Sequence, residues 1–283
     1  MTKPVITMQT DFGVGGGSAM HGTCLKVDPE LEIYEITHNV PKFDVRTAAR
    51  NLRNIVPFWP EGTVHVSVVD PGVGTSRRAS VALLNNGSYV VTPDNGTLTL
   101  LMDTIGVKAI RVIDENVNRL KGTEKVSIFH GRDLFAYCAA KLASGIIDFE
   151  GVGPEYPVSE IVRYYEPGFT ASGNTLTGSV TGMMRTFGNI ETSIPIEAAE
   201  NAGFNSGDSV RVVISGSDRT AYDRIVSYRP SFGWVKEGED VLYNSSDGVL
   251  GIGINLGNFS EKYGIDPTES WNISVTFSCK EDN

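Results

Sequence analysis

The 283-residue sequence predicts an N-terminal α/β domain with a mixed, largely parallel sheet, followed by a smaller all-β C-terminal domain. Up to about residue 165, short runs rich in Val, Ile, Tyr and Thr alternate with stretches whose apolar residues have helical spacing. From about residue 174, strand-like runs are separated by Gly, Asn and Ser turns, and little helix lies between them. The first pattern indicates an α/β sheet, and the second is typical of a small barrel or sandwich.

The individual elements follow from these runs. Strands of the first domain are predicted at 4–10, 32–38, 64–70, 88–94 and 109–114, and helices at 44–59 and 134–145. Strands of the second domain are predicted within 174–195, 208–217, 220–228, 239–255 and 270–279. The segment 155–174 carries two prolines and two glycines and is predicted to be the linker between an α/β domain over 1–165 and a β domain over 174–283.

The charge balance limits the class of partner. The chain contains 24 Lys and Arg residues against 34 Asp and Glu residues, a formal net charge of −10, and its pI is near 4.9. Nucleic acids and anionic membranes bind clustered cations, so we expect neither as a partner, whereas a small ligand carrying positive charge would fit. Hydrophobic residues make up 40% of the chain, which is enough for a real core.

The N-terminus and the cysteines indicate the compartment. The first residues lack the apolar stretch of a signal peptide, and no run of about 18 apolar residues occurs in the sequence. Cys24, Cys138 and Cys279 are odd in number, widely spaced and without metal-type pairing, and we interpret them as reduced thiols in the core or on the surface. A cytoplasmic protein is therefore expected.

A glycine-rich segment, residues 10–22, follows the first predicted strand. Its glycines could let the backbone approach a nucleotide closely, or they could form a flexible strand-to-helix turn. No Lys-Ser/Thr pair follows, so the segment is not a phosphate-binding P-loop. Asp11, at the end of the strand, could accept hydrogen bonds from both hydroxyls of a ribose or could cap the next helix.

The segment 68–78 places Asp70 seven residues before Arg77. Pro71 restricts the turn, and the glycines within it permit backbone geometry that a side chain would block. Such a loop could fold the guanidinium over the carboxylate as a charge-assisted clamp that holds one water molecule in a cleft. The alternative is a surface ion pair, which would contribute little.

His130 precedes a glycine at the start of a predicted helix, where it could face a pocket or could be a structural residue with satisfied hydrogen bonds. Asp94 lies in a sequence typical of a tight turn. Asp11, Asp70, Asp94 and His130 could instead hold a hard cation together with water, but they lack the close ligand spacing of a metal motif. We expect no metal at these residues.

The segment 186–195 of the second domain places Phe187 and Asn189 close together. An aromatic face and an amide suit a nucleobase, which requires stacking and hydrogen bonds to its edge. The alternative is an ordinary strand with a glycine bulge. The segment 243–258 could close over a ligand or could be a plain hairpin.

Taken together, these motifs resemble the S-adenosyl-L-methionine (SAM) hydroxide adenosyltransferase family, whose relatives include the bacterial fluorinase and chlorinase. In order along nearly the whole chain they are TDFG (10–13), ITHNVPKFDV (36–45), VVDPGVGTSRR (68–78), TPDNG (92–96), FHGRD (129–133), FGN (187–189) and YNSSDG (243–248). The resemblance implies an α/β domain, a C-terminal barrel-like domain and a homotrimer with interfacial active sites, each between one subunit's first domain and its neighbour's second.

The resemblance also implies a reaction and the residues that perform it. The family's catalytic triad falls on Asp70, Arg77 and His130, and the presence of this Asp is typical of the hydrolytic rather than the halogenating branch. Hydrolysis of SAM to adenosine and L-methionine, by in-line attack of water or hydroxide on the ribose 5′ carbon and without a cofactor, is therefore expected. The implied substrate-binding residues are Asp11 at the ribose, Phe43 near the ribose and methionine, Phe187 and Asn189 at the adenine and methionine, and, nearby, Tyr228 and Ser245.

The sequence departs from the family pattern where acidic residues are usual. Arg185 lies in the stretch before FGN, where an acidic residue commonly binds the methionine ammonium, and Gly251 follows Leu250, where Glu is usual. The glycine-rich loop after TDFG is about one residue shorter than usual and lacks the family's Asp. Two other functions remain open from the residues alone. One is a non-catalytic adenosine or SAM sensor, and the other is a metal-dependent nucleotide or phosphoester hydrolase, which EDTA would inhibit.

Overall fold

The computed structural model describes residues 5–184, 186–266 and 269–277 of the chain. The chain divides into two compact units, with the boundary between Tyr164 and Tyr165. Arg185 and Cys279, which were discussed above, lie outside the described residues. In the described part of the chain, no helix is both long and apolar enough to cross a membrane.

Unit 1 is an α/β unit. Its described strands are β1 (Val5–Thr10), β2 (Glu32–Thr37), β3 (Val64–Val68), β4 (Ala79–Leu84), β5 (Tyr89–Pro93), β6 (Val107–Val112) and β7 (Glu155–Tyr156). Its described α-helices are α1 (Ser18–Val27), α2 (Val45–Ile55), α3 (Thr99–Asp103), α4 (Glu115–Asn118) and α5 (Tyr137–Ala143). A π-helical turn, Gly131–Ala136, leads directly into α5.

The seven strands form one mixed sheet in the order β2-β1-β3-β5-β4-β6-β7. β2, β1, β3 and β5 are mutually parallel, whereas β4, β6 and β7 pair antiparallel at the other end. The predicted mixed, largely parallel sheet is confirmed. β4 was not predicted, because its run ASVALL directly follows the 68–78 segment and carries no separate turn signal.

Helices cover both faces of this sheet. Every residue of β3 is buried, as expected for a central parallel strand. On one face, α1 and α5 enclose a core that includes Met20, Cys24, Phe135 and Cys138; on the other, α2 and α3 enclose a smaller one. Both described cysteines are therefore buried free thiols. Their burial raises the pKa of each thiol to about 12.

The carboxyl ends of the four parallel strands carry polar side chains. His38 follows β2, Asp11 follows β1, Asp70 lies just beyond β3 and Asp94 follows β5. In an open α/β sheet this edge is where ligands bind, since the strand-to-helix loops leave a crevice there. The topology therefore brings residues that are far apart in sequence to one edge.

Unit 2 is a mostly antiparallel barrel that contains one parallel pair among its described strand pairings. Its described strands are β8 (Thr170–Ser172), β9 (Thr175–Met184), β10 (Asn189–Pro195), β11 (Ser209–Ser215), β12 (Thr220–Arg229), β13 (Asp240–Asn244), β14 (Val249–Ile254) and β15 (Asn272–Phe277). They follow the order β10-β14-β13-β12-β11-β15-β9-β8, and β10 also pairs with β9, which closes a ring of seven strands. Two short helices, α6 (Ile196–Asn201) and α7 (Phe259–Tyr263), accompany the ring. The predicted barrel-like domain is confirmed.

The segment expected as a linker, 155–174, contains structure at both ends. β7 is an edge strand of the unit 1 sheet, pairing with β6, and β8 pairs with β9 in unit 2. The prolines and glycines of this segment therefore flank short edge strands, and they also lie between the two units.

Asp94 stabilises the loops beyond the sheet. Its Oδ2 accepts hydrogen bonds from Arg78 Nε at 3.0 Å and from the Tyr156 hydroxyl at 3.1 Å, and its Oδ1 accepts one from the Val162 N–H at 2.8 Å. The side chain is 1% exposed. Asp94 therefore fixes the segment after β7 to the turn after β5, and its carboxylate oxygens are used by protein donors.

We predict that Asp94→Asn destabilises the protein by at least about 2 kcal/mol, because an amide cannot accept from all three donors and leaves Arg78 without its buried partner. Denaturant unfolding monitored by circular dichroism measures this difference. Asp103→Asn is the matched control: its carboxylate pairs with Arg163 at 2.5 Å but is half-exposed, so a change near zero is expected. Equal stability of the two variants would contradict the role given to Asp94.

Candidate functional site

The loop after β3 folds Arg77 back onto Asp70. Arg77 Nε donates to Asp70 Oδ1 and Oδ2, both at 3.0 Å, and Arg77 NH2 makes a further short bond to Oδ2. Gly74 has a φ of +75°, and a Cβ there would lie 2.9 Å from the Ser127 carbonyl oxygen. A glycine is therefore required for the turn that returns the guanidinium to the carboxylate.

Arg77 also reaches His130. Its NH2 lies 3.0 Å from His130 Nδ1, and its guanidinium carbon lies 5.1 Å from the centre of the Phe135 ring. The three polar side chains are largely buried, with 4%, 11% and 6% exposure for Asp70, Arg77 and His130. This is a buried cluster rather than the surface ion pair that the sequence left open, so its bonds are shielded from solvent.

The hydrogen bond from Arg77 fixes the protonation of His130. A guanidinium can only donate, so Nδ1 must carry the lone pair and the ring proton must lie on Nε2. Burial lowers the pKa of His130 below its ordinary value of 6.5, and the positive charge of Arg77 lowers it further. At neutral pH the ring is therefore neutral and can donate a hydrogen bond from Nε2.

Asp11 and Phe43 are connected across the edge of the sheet. The Phe43 N–H donates to Asp11 Oδ2 at 2.9 Å. Phe43 has a φ of +65°, a left-handed conformation that is unfavourable for a residue with a bulky side chain. The bond from Asp11 holds this strained backbone in place and leaves the Phe43 ring 66% exposed, the kind of local strain that is common at binding sites.

These residues line one cavity of about 320 Å³ in unit 1. Its walls combine the polar groups above with apolar side chains, as in small-molecule sites. Asp11, Phe12, Lys42, Phe43, Val68, Asp70, Val73, Ile128, His130 and Gly131 line it. Four predicted site residues are thus brought together here. Asp94 is not among the lining residues, so the cation site suggested by the four-residue set is not assembled.

In unit 2, Phe187 lies in the turn between β9 and β10, and Asn189 is the first residue of β10. The N–H groups of Phe187 and Gly188 both donate to the Met184 carbonyl, at 3.0 Å and 2.7 Å. The Phe187 ring is 58% exposed, whereas Asn189 is buried and its Oδ1 accepts no hydrogen bond from the described residues. The turn thus offers an exposed aromatic face, and Asn189 beside it offers an amide oxygen.

Ser245 forms a hydrogen bond with the carboxylate of Glu191, a residue that the sequence did not single out. The Ser245 hydroxyl donates to Glu191 Oε1 at 3.1 Å, and both residues are buried. Glu191 of β10 lies directly opposite Gly251 of β14, and a Cβ at Gly251 would lie 2.8 Å from the Tyr243 ring. A longer side chain at position 251 would therefore displace Tyr243. The acidic side chain beside position 251 is instead that of Glu191, on the neighbouring strand β10.

The structure places Tyr228 in the apolar core of unit 2. It packs edge-on against Phe204, and its hydroxyl donates to Asn244 Oδ1 at 2.7 Å. Its polar atom is therefore satisfied within the protein. Of the second-unit residues implied by the resemblance, Tyr228 is the one with the most evident structural role.

Comparisons with known proteins agree with the motifs. The SAM hydroxide adenosyltransferase N-terminal domain model matches residues 6–153, and the corresponding C-terminal domain model matches 186–272. The (R)-S-adenosyl-L-methionine hydrolase of Salinispora tropica is 32% identical over 275 residues, which cover 96% of this chain and 98% of the relative. The fluorinase of Actinopolyspora mzabensis is 27% identical over 304 residues, covering 98% of each chain.

The fold comparison extends over both units. A crystal structure of an uncharacterized conserved protein from Thermotoga maritima matches with a TM-score of 0.85 and 33% identity, covering 96% of this chain and 99% of that chain. Sequence and fold therefore agree over nearly the full length.

Proposed function

Because this chain belongs to the SAM hydroxide adenosyltransferase family, we propose that it hydrolyses SAM to adenosine and L-methionine. The observation that carries the proposal is the buried cluster of Asp70, Arg77 and His130, of which Asp70 and His130 line a cavity that also contains Asp11. The cluster is the part of the site at which a water molecule would be held. Asp11 is assigned to the ribose hydroxyls.

The chemistry requires an activated water molecule rather than an acid. Methionine leaves SAM as a neutral thioether from a sulfonium, so no proton has to be given to the leaving group. The oxygen of water forms a bond to the ribose 5′ carbon while the carbon–sulfur bond breaks on the opposite side. Holding the water in line with that bond reduces the entropic part of the barrier.

Each member of the cluster has a defined part in this step. The His130 Nε2–H orients the water by donating to its oxygen, since Nδ1 is occupied by Arg77. The Arg77 charge favours deprotonation of the water. Asp70 is the anionic member, and a carboxylate has about four acceptor positions, of which Arg77 uses three. We assign the remaining position to the departing proton of the water.

We assign the rest of the substrate to groups of unit 2 that a neighbouring chain of a homotrimer would supply. Phe187 offers a face for stacking on adenine, and the Asn189 Oδ1 can accept from an amino group of the base. Glu191, fixed by Ser245, is assigned to the methionine ammonium, in place of the acidic residues usual at positions 185 and 251. Phe43 is assigned to the ribose and methionine, and Tyr228 to the support of the neighbouring strands.

Two further properties belong to this proposal. We propose a homotrimer, since exposed apolar side chains at the cavity, such as Phe43 and Ile128, are typical of surfaces covered by another chain. A particle mass three times the chain mass of 30.6 kDa is expected. The reaction as written requires no cofactor and no metal, and a cytoplasmic location stays a prediction.

We predict that Asp70→Ala and Arg77→Ala each lose at least about 100-fold in turnover, a cost of roughly 3 kcal/mol. Asp70→Ala removes the acceptor for the proton of the water, and Arg77→Ala removes the positive charge and the bonds that hold Asp70 and His130 in place. Chromatography of SAM, adenosine and methionine measures turnover, and adenosine binding is expected to persist in both variants. Wild-type turnover should persist in EDTA, and added chloride should yield no halogenated nucleoside. Unimpaired turnover in either variant would contradict the assignment, and abolition of wild-type turnover by EDTA would favour the metal-dependent alternative.

We predict that the acid limb of kcat/KM lies below pH 6.5. Protonation of His130 at Nδ1 would break its bond with Arg77, and both burial and Arg77 hold the pKa of this ring below its ordinary value. More than half of the full activity should therefore remain at pH 6.5, and activity should be lost as the pH falls through the lowered pKa. His130→Gln should be slower and should lack this limb. A limb centred above pH 6.5 in the wild type would contradict the neutral-ring assignment.

We predict that Glu191→Gln raises KM for SAM by about tenfold or more with little change in kcat, because a charge-assisted bond to the ammonium is lost far from the reacting carbon. Inhibition by adenosine, which has no ammonium, should be unchanged in the same variant. Glu197→Gln, at an exposed position on α6, is the matched control. If the variant bound adenosine and SAM more weakly by the same factor, Glu191 would instead have only a structural role in the barrel.

A further inference from the structure

Three metal-ligating side chains converge beside the glycine-rich segment, outside the group of residues that lines the cavity. His21 lies on α1, Glu35 on β2 and His38 just after β2. His21 Nε2 lies 3.2 Å from Glu35 Oε1, and His38 Nε2 lies 2.9 Å from Glu35 Oε2. One ligand atom from each residue can be chosen so that all three lie within 4.8 Å of one another.

The orientation of the two rings does not match ordinary hydrogen bonding. Both Nε2 atoms are buried, and neither makes a hydrogen bond with a described residue despite the short distance to the Glu35 carboxylate. Buried ring nitrogens are usually satisfied, and a cation shared with the Glu35 carboxylate would satisfy both of these nitrogens. Gly17 makes room for the arrangement, since a Cβ there would lie 2.0 Å from His38 Nε2.

The other ring nitrogen of His38 has a partner of the kind found behind metal ligands. His38 Nδ1 lies 2.8 Å from Thr10 Oγ1. With the proton on Nδ1, this bond fixes the ring and directs the Nε2 lone pair toward Glu35. Metal-bound histidines almost always donate their other ring N–H in this way, and the bond sets the tautomer.

We propose that His21, Glu35 and His38 form a binding site for a divalent transition metal, with Zn²⁺ as the preferred ion. Two imidazoles and one carboxylate are a ligand set typical of such ions. Ligands about 2.0–2.2 Å from a tetrahedral Zn²⁺ are about 3.3 Å apart, so the widest separation here must shorten by about 1.5 Å. Glu35 is half-exposed and His21 is partly exposed, so their side chains can make this adjustment. Water fills the fourth position.

The site would tie together elements that border the cavity. The metal would link α1 to the end of β2, and the segment between β1 and α1 lies against His38: the Gly13 N–H donates to the His38 carbonyl at 2.7 Å. Thr10, which holds His38, also accepts from the N–H of the cavity residue Phe12 at 3.1 Å. The metal would therefore keep the backbone of residues 10–17 ordered, and it would take no part in the attack on the substrate.

The inference is tested by metal binding alone and does not depend on the proposed reaction. The full-length protein is stripped with EDTA, dialysed and titrated with Zn²⁺ by calorimetry, and elemental analysis gives the stoichiometry. Glu35→Gln and His21→Asn remove one ligand each at exposed or partly exposed positions, and Glu30→Gln is the matched surface control. Circular dichroism of the metal-free proteins checks that all four chains fold.

We expect one Zn²⁺ per chain in the wild type and in Glu30→Gln, and binding weakened by more than about tenfold in Glu35→Gln and His21→Asn. Zn²⁺ should raise the melting temperature of the first pair only. Co²⁺ in the wild type should give the visible absorption of a tetrahedral site. Binding of equal strength in all four chains, or no stoichiometric binding in the wild type, would overturn the proposal.

Discussion

The guanidinium of Arg77 holds the chemistry of the cavity together, because it is bonded to both other polar members of the cluster. Arginine stays charged under all ordinary conditions, and its planar donors can serve a carboxylate and an imidazole at the same time. Its bond to His130 decides where the ring proton lies, and its charge favours the neutral ring. A lysine at this position would keep the charge but would lose this fixed geometry. The backbone turn at Gly74 and the Phe135 ring beneath the guanidinium are best understood as supports for this one group.

The parallel strands explain why such a cluster can form at all. Four strands end at the same edge of the sheet, and each places a polar residue there. The four residues then have different tasks. Asp70 pairs with Arg77, Asp11 holds the strained backbone of Phe43, Asp94 fixes the loops after β5 and β7, and His38 belongs to the proposed metal site. Only the first two line the cavity, so a position after a strand does not by itself give a residue a role in this site.

The sequence was informative where the chemistry is local. The spacing of Asp70 and Arg77 within one loop was enough to predict their pairing, and the strand-to-turn pattern predicted the position of Asp11. It was not informative where the contact depends on strand register. Glu191 meets Ser245 and faces Gly251 only because β10 pairs with β14 in one register, and a shift by one residue would turn its side chain to the other face. The cluster of His21, Glu35 and His38 was missed because α1 and the end of β2 come together only when the helix packs in the folded unit.

In the proposed reaction, this chain directs a water molecule to the ribose 5′ carbon of SAM. Turnover in water enriched in the heavy oxygen isotope, followed by mass spectrometry of both products, is the most direct test of this step. We expect one heavy oxygen in adenosine and none in methionine, because the new bond joins the water oxygen to the 5′ carbon. Unlabelled adenosine, or products in which a different bond to sulfur has been broken, would contradict it.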